Sequence, residues 1–116
     1  MMHAYALVAI CVATIAVGQL IFKHVSLRLA GASLSEIHNH PDALAWLAFA
    51  VALYGVTTVL WVMALRDLPL SRAYVFVALG FIIVPLGARF FFGEPLSLNY
   101  LLGALMIVIG IVITVV

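Results

Sequence analysis

Residues 70–92 read LSRAYVFVALGFIIVPLGARFFF. Apart from Arg72 and Arg89 near its two ends, the stretch carries no charged side chain. Its length suits a helix crossing a hydrocarbon core about 30 Å thick, which takes about 20 apolar residues. Backbone N–H and C=O groups find no water in that core, so an open strand is excluded. The residues also lack the alternation of a barrel strand. The local reading is therefore a transmembrane helix, and the valines and isoleucines do not oppose it, because internal pairing of the backbone overrides weak propensities. Arg72 is the expensive residue. A guanidinium cannot escape the membrane by losing its proton, so it requires an anionic partner, water or a lipid phosphate.

The rest of the chain agrees. Its 116 residues are 68% hydrophobic and 8% charged, with a mean hydropathy of +1.36. Soluble domains are about 45–50% apolar and about 25% charged, and no soluble core of this length could hide so much apolar surface. The chain reads as one all-α integral membrane domain over residues 1–116, with spans at about 4–22, 43–65, 70–92 and 98–116. The formal net charge of +1 gives no basis for nucleic-acid binding. The N-terminus lacks the basic segment of a signal peptide, so span 1 is expected to be retained. Cys11, the lone cysteine, reads as a buried small hydrophobe.

The connections are unequal. Residues 23–42 form the one long loop. Leu27, Leu29, Leu34 and Ile37 interleave there with polar residues, as in a short amphipathic surface helix. Arg66-Asp67-Leu68-Pro69 and Gly93-Glu94-Pro95 are tight turns. They are expected to make spans 2, 3 and 4 antiparallel neighbours. Lys23, Arg28 and Arg89 lie toward one face, Arg66 and Arg72 toward the other. That bias orients the chain only weakly.

Several short motifs occur in order. Gly18-Gln19-Leu20-Ile21-Phe22-Lys23 closes span 1. The run from Trp61 through Leu65-Arg66-Asp67-Leu68-Pro69-Leu70-Ser71-Arg72-Ala73-Tyr74 leads to Phe92-Gly93-Glu94-Pro95-Leu96, and Gly103 to Ile111 follows in span 4. In this order the chain resembles the drug/metabolite transporter superfamily, in its four-span EamA-like and small-multidrug-resistance-like branch. Within it, the likeness is nearest to subunits that flip aminoarabinose-phosphoundecaprenol. The resemblance implies an inner-membrane transporter, working as a homodimer or as a heterodimer with a similar four-span subunit. Its implied cargo is a polyprenyl-phosphate-linked sugar, and span 4 is implied to form the dimer contact.

The chain departs from the multidrug exporters. The position of their span 1 carboxylate is Ile15, and their aromatic platform after the span 3 tyrosine is replaced by Val77. A span without a buried acid cannot neutralise a cationic drug or carry a proton. This counts against drug/proton antiport.

The candidate binding residues are Arg72, Gln19, Lys23, Tyr74, Arg89, Glu94 and Trp61. Gln19 and Lys23, four apart, share a helix face. Gln19 serves either as interhelical glue or as a hydrogen-bond partner for a sugar or phosphate oxygen. Lys23 either binds or snorkels to the headgroups. Arg72 and Arg89 are 17 positions apart, about 25 Å along a helix rising 1.5 Å per residue. One phosphate cannot touch both within a chain, but an antiparallel partner would bring Arg72 of one copy to the depth of Arg89 of the other. Arg grips phosphate oxygens in bidentate fashion. The structural alternatives are pairing of Arg72 with Asp67 or headgroups, and pairing of Arg89 with Glu94. Tyr74, Trp61 and Tyr54 either line a cavity or pack.

Gly103 and Gly110, seven apart, lie close to one face of span 4, where small residues allow close helix approach. They face either a dimer partner or span 3. His38, His40 and Asp42 form too sparse a set for a metal site, and no cofactor motif or catalytic constellation can be assembled. The expected function is translocation of a lipid-linked sugar. A small-molecule exporter and a non-transporting accessory subunit are the rival readings.

Overall fold

The computed structural model describes residues 2–116. It is all-helical, with no strand among the described residues. Helix α1 spans Met2–Arg28, α2 Pro41–Leu65, α3 Leu70–Val77, α4 Gly80–Phe92 and α5 Leu98–Val115. A short 3-10 turn, Leu34–Asn39, lies between α1 and α2. Four helical stretches are long and apolar enough to cross a membrane, with α3 and α4 together forming the third, Leu70–Phe92. The chain is a multi-pass membrane protein.

The first boundary differs from expectation. Span 1 continues past residue 22 to Arg28, so the long loop is shorter than 23–42. Lys23, Ser26 and Arg28 are compatible with helix and reach the headgroup zone. There Lys23 Nζ stands 3.4 Å from Glu94 Oε1, and Arg28 Nη1 2.8 Å from Asp42 Oδ2. The amphipathic surface helix is reduced to the 3-10 turn, in which no residue is buried, whereas Leu29 packs on the core instead. Pro41 starts α2, a position where its missing N–H costs nothing.

Span 3 holds one internal irregularity. Around Ala78 and Leu79 the hydrogen bonds shorten to the i−3 pattern, as in Leu79 N to Phe76 O at 3.1 Å and Ile82 N to Leu79 O at 3.0 Å. This is a 3-10 turn inside a helix. Further along, Pro85 removes an N–H that would have bonded the carbonyl four residues earlier. That carbonyl belongs to Phe81, and the Tyr100 hydroxyl of α5 donates to it. The gap left by a proline in one span is thus filled by a side chain from the next, the compensation expected in lipid. Gly93, at φ 67°, ends α4 in the left-handed region, which favours glycine.

Packing centres on α1 rather than on spans 2, 3 and 4 as mutual neighbours. Helix α2 runs along α1, and α4 and α3 lie against α1 as well, whereas α2 meets α3 chiefly near their turn. Two core clusters mark the ends of the bundle. Ala4, Val8 and Val12 meet Ala64, Leu68 and Ala73 at one end, and Ile21 and Val25 meet Ala43 and Ala50 at the other. The core is largely alanine because lipid tails compete equally for large apolar groups. Small residues that let backbones approach supply the attraction through van der Waals contact. Cys11 is fully buried, its thiol 3.6 Å from the Thr57 carbonyl oxygen.

The bundle measures 50 × 37 × 19 Å. Its least dimension is about two helix diameters. Helix α5 contributes no buried residue among those described.

Candidate functional site

The site grows from a polar seam between α1 and α2. Gly18 lies directly against the Tyr54 ring, so close that a Cβ there would collide with ring carbon Cε2. On the other side Tyr54 stacks on Phe22, with centroids 5.3 Å apart and planes at 10°. Held between them, the Tyr54 hydroxyl accepts a 2.7 Å hydrogen bond from Gln19 Nε2 and lies 3.5 Å from the Ile15 carbonyl oxygen. Nearer the N-terminus of α1, the Thr14 and Thr57 hydroxyls are 2.7 Å apart. Thr57 also donates to the Leu53 carbonyl at 2.8 Å, and Thr58 to the Tyr54 carbonyl at 2.8 Å. Such back-bonding satisfies hydroxyls that lipid would leave unpaired.

Beside this seam runs a groove bounded by α1, α2 and span 3. Its first part, about 310 Å³, is lined by Tyr54, Thr57, Thr58, Trp61 and Tyr74 together with Ile15 and Val77. Its second part, also about 310 Å³, is lined by Gln19, Gly80, Phe81, Val84 and Pro85, again with Ile15 and Val77. The shared residues make the two parts one continuous groove. Its polar groups are hydroxyls, an indole and an amide, and its lining residues include no charged side chain.

Three expected binding residues, Gln19, Trp61 and Tyr74, therefore meet in one groove. Gln19 bridges two helices through its amide, and its exposed side chain also lines the groove. The four charged candidates lie outside it. Arg72 is exposed in the first turn of α3, and Arg89 is exposed near the end of α4. Neither has a carboxylate within ion-pair distance among the described residues, so the Arg72–Asp67 and Arg89–Glu94 pairings do not form. Glu94 faces Lys23 instead, because α1 extends far enough to bring that ammonium to the α4–α5 turn. Both partners are nearly half exposed, so the pair adds little stability.

Gly103 and Gly110 are exposed, and nothing lies within 4 Å of a Cβ built on either. Ala104, Ile107, Val108 and Ile111 form the inward side of α5, so the glycines do not mediate packing against span 3. Among the described residues no three His, Cys, Asp or Glu side chains gather as a metal site. Thr14, Thr57 and Thr58 are the groups that sequence reasoning misses. Their signal is faint: hydroxyls in otherwise apolar runs, indistinguishable by spacing from residues that bond only their own helix.

Membrane-spanning helices around a groove that is mostly apolar, uncharged and dotted with hydroxyls suit a small transporter of the helical-bundle type. The EamA-like transporter family matches residues 2–116, and the chain belongs to that family. Over 68 residues it is 40% identical to a probable 4-amino-4-deoxy-L-arabinose-phosphoundecaprenol flippase subunit ArnE of Enterobacter sp. (strain 638), covering 59% of this chain and 64% of that protein. Over 70 residues it is 41% identical to the like-named protein of Yersinia pseudotuberculosis serotype O:1b (strain IP 31758), covering 60% of this chain and 61% of that protein. The matched stretch thus spans less than two thirds of those relatives' length. No solved structure matches the chain.

Proposed function

We propose that the chain is a subunit of an inner-membrane flippase that moves a polyprenyl-phosphate-linked sugar between leaflets. The observation that carries this reading is the groove: continuous, mostly apolar but dotted with hydroxyls and an amide, and free of carboxylates. Sugar hydroxyls both donate and accept hydrogen bonds, and Tyr54, Thr58, Tyr74 and Gln19 can do the same. A cationic drug or proton would need a buried acid, yet Ile15 lines both parts of the groove where the multidrug exporters place theirs. The ArnE relatives, named as aminoarabinose-phosphoundecaprenol flippase subunits, support the same cargo class.

The sugar crosses along the groove while the hydrocarbon chain stays on the lipid-facing side of the bundle. Arg72 and Arg89, at opposite ends of span 3, receive the phosphate on the two sides of the membrane. The groove opens sideways in a single chain, so a second four-span subunit, identical or similar, completes it. The exposed α5 face bearing Gly103 and Gly110 forms the contact. No bond is made or broken in the cargo; the subunit is a carrier rather than an enzyme.

The test uses proteoliposomes holding aminoarabinose-phosphoundecaprenol, assembled with this chain alone and with a similar four-span subunit. A membrane-impermeant amine reagent reports the sugars reaching the outer leaflet. The expected result is labelling of more than the initially exposed pool. Labelling that stops at that pool in both preparations overturns the proposal.

A further inference from the structure

A further cavity, about 410 Å³, is not part of the groove. Val17, Leu20 and Ile21 of α1, Trp46 of α2, and Phe91 and Phe92 of α4 form its walls, and the His24 imidazole and the Trp46 indole are the polar groups among its lining residues. The His24 and Trp46 rings meet edge to face, with centroids 5.7 Å apart and planes at 77°. The slot lies at the end of the bundle where Lys23, Arg28 and Glu94 reach the headgroup zone.

Its size limits what can fill it. A helix about 10–12 Å across rises about 5.4 Å per turn, so one turn occupies roughly 420–610 Å³. That equals or exceeds the slot, so a helix cannot be taken up whole and would only lie across its open side. A single hydrocarbon chain can enter. The charges at this end favour a chain that carries an anion. Lys23 and Arg28 already have carboxylate partners, whereas Arg89 has none among the described residues. Arg89 stands three positions before Phe92, on the same helix face. It thus pairs a free guanidinium with an aromatic slot wall.

We propose that this slot is a loading site for the polyprenyl chain of the transported lipid, with its phosphate held at the interface by Arg89 and a His24 ring N–H. The inference rests on the flippase reading and adds where the lipid docks before its sugar enters the groove. An isoprenoid chain suits the slot better than an acyl chain. Each unit contains a double bond with its rotation already fixed, so confinement removes fewer free torsions per length. Its methyl branches and π-bonds pack against Trp46, Phe91 and Phe92.

The experiment uses the full chain in proteoliposomes and a diazirine-bearing polyprenyl phosphate without a sugar, with adducts mapped by peptide mass spectrometry after illumination. Adducts are expected on Trp46 and on Phe91 and Phe92. Excess undecaprenyl phosphate is expected to suppress them, and an equal amount of phosphatidylglycerol to leave them. Val17→Phe narrows the slot from its lipid-exposed side and is expected to lower the yield severalfold, whereas Leu105→Phe on the outer face of α5 changes nothing. Equal labelling of α5 and the slot overturns the proposal, as does equal competition by phosphatidylglycerol. Slot labelling without sugar-lipid transfer would sink the transport reading and leave the site standing. Transfer without slot labelling would do the reverse.

Discussion

Gly18→Ala pits two opposing effects against each other, and their sizes can be set in advance. Within a helix, Ala is favoured over Gly by about 0.8–1.0 kcal/mol. At this position the new methyl meets the Tyr54 ring, which cannot retreat freely because Phe22 stacks on its other side. Overpacking of this kind costs about 1–3 kcal/mol. Displacing the ring also strains the 2.7 Å Gln19–Tyr54 bond, and such interhelical bonds contribute about 0.6–1.7 kcal/mol in membranes. Gly18→Ala should therefore destabilise the otherwise unchanged protein, yet stabilise a Tyr54→Ala background in which the methyl has room. The double-mutant cycle should give a coupling of about 1–3 kcal/mol. Reversible unfolding by SDS titration in mixed micelles measures all four corners. A coupling below about 0.5 kcal/mol, the usual limit for independent sites, would refute the claim that Gly18 positions Tyr54.

Arg72→Ala should lower sugar-lipid transfer by about tenfold to a hundredfold, given the roughly 1.5–3 kcal/mol of a hydrogen bond to a charged group; expression and self-association, followed by gel filtration in detergent, should not change. Gly103→Leu combined with Gly110→Leu should weaken self-association, because both glycines face outward with open space at their Cβ positions; an unchanged crosslinked dimer in detergent would remove α5 from the contact. Tyr100→Phe should destabilise the bundle by about 0.6–1.7 kcal/mol, the range for an interhelical bond in lipid, since the Phe81 carbonyl freed by Pro85 would lose its partner. In a Pro85→Ala background, where the backbone regains the missing N–H, the same change should cost measurably less by SDS titration.

The membrane spans are legible from apolar length alone, because in lipid the backbone leaves little choice but helix. Residues 70–92 are long and apolar enough to cross a membrane, although the break between α3 and α4 leaves no mark in hydropathy. The end of α1 is misplaced because hydropathy marks where lipid stops, whereas helix continues through Lys23 and Arg28 while partners remain in reach. Gln19, Trp61 and Tyr74 stand out as polar or amphipathic groups in apolar surroundings, and they do share a groove. That α1 is the central helix could not be read from loop lengths, which govern succession and not packing. The Thr14–Thr57 contact depends on the relative rotation of two helices, and alanines and glycines scattered along both leave that rotation unspecified.

The proline-vacated carbonyl in span 3 has a mechanical consequence. Phe81 and Pro85 form part of the groove wall, and Tyr100, which caps the Phe81 carbonyl, belongs to the outermost helix. A change of bend at Pro85 that widened the groove would either draw α5 along or break that hydrogen bond. The width of the groove and the posture of the outer helix are therefore geared together. On the proposed reading, a neighbouring subunit seated on α5 would feel the passage of a sugar as a shift of its own footing.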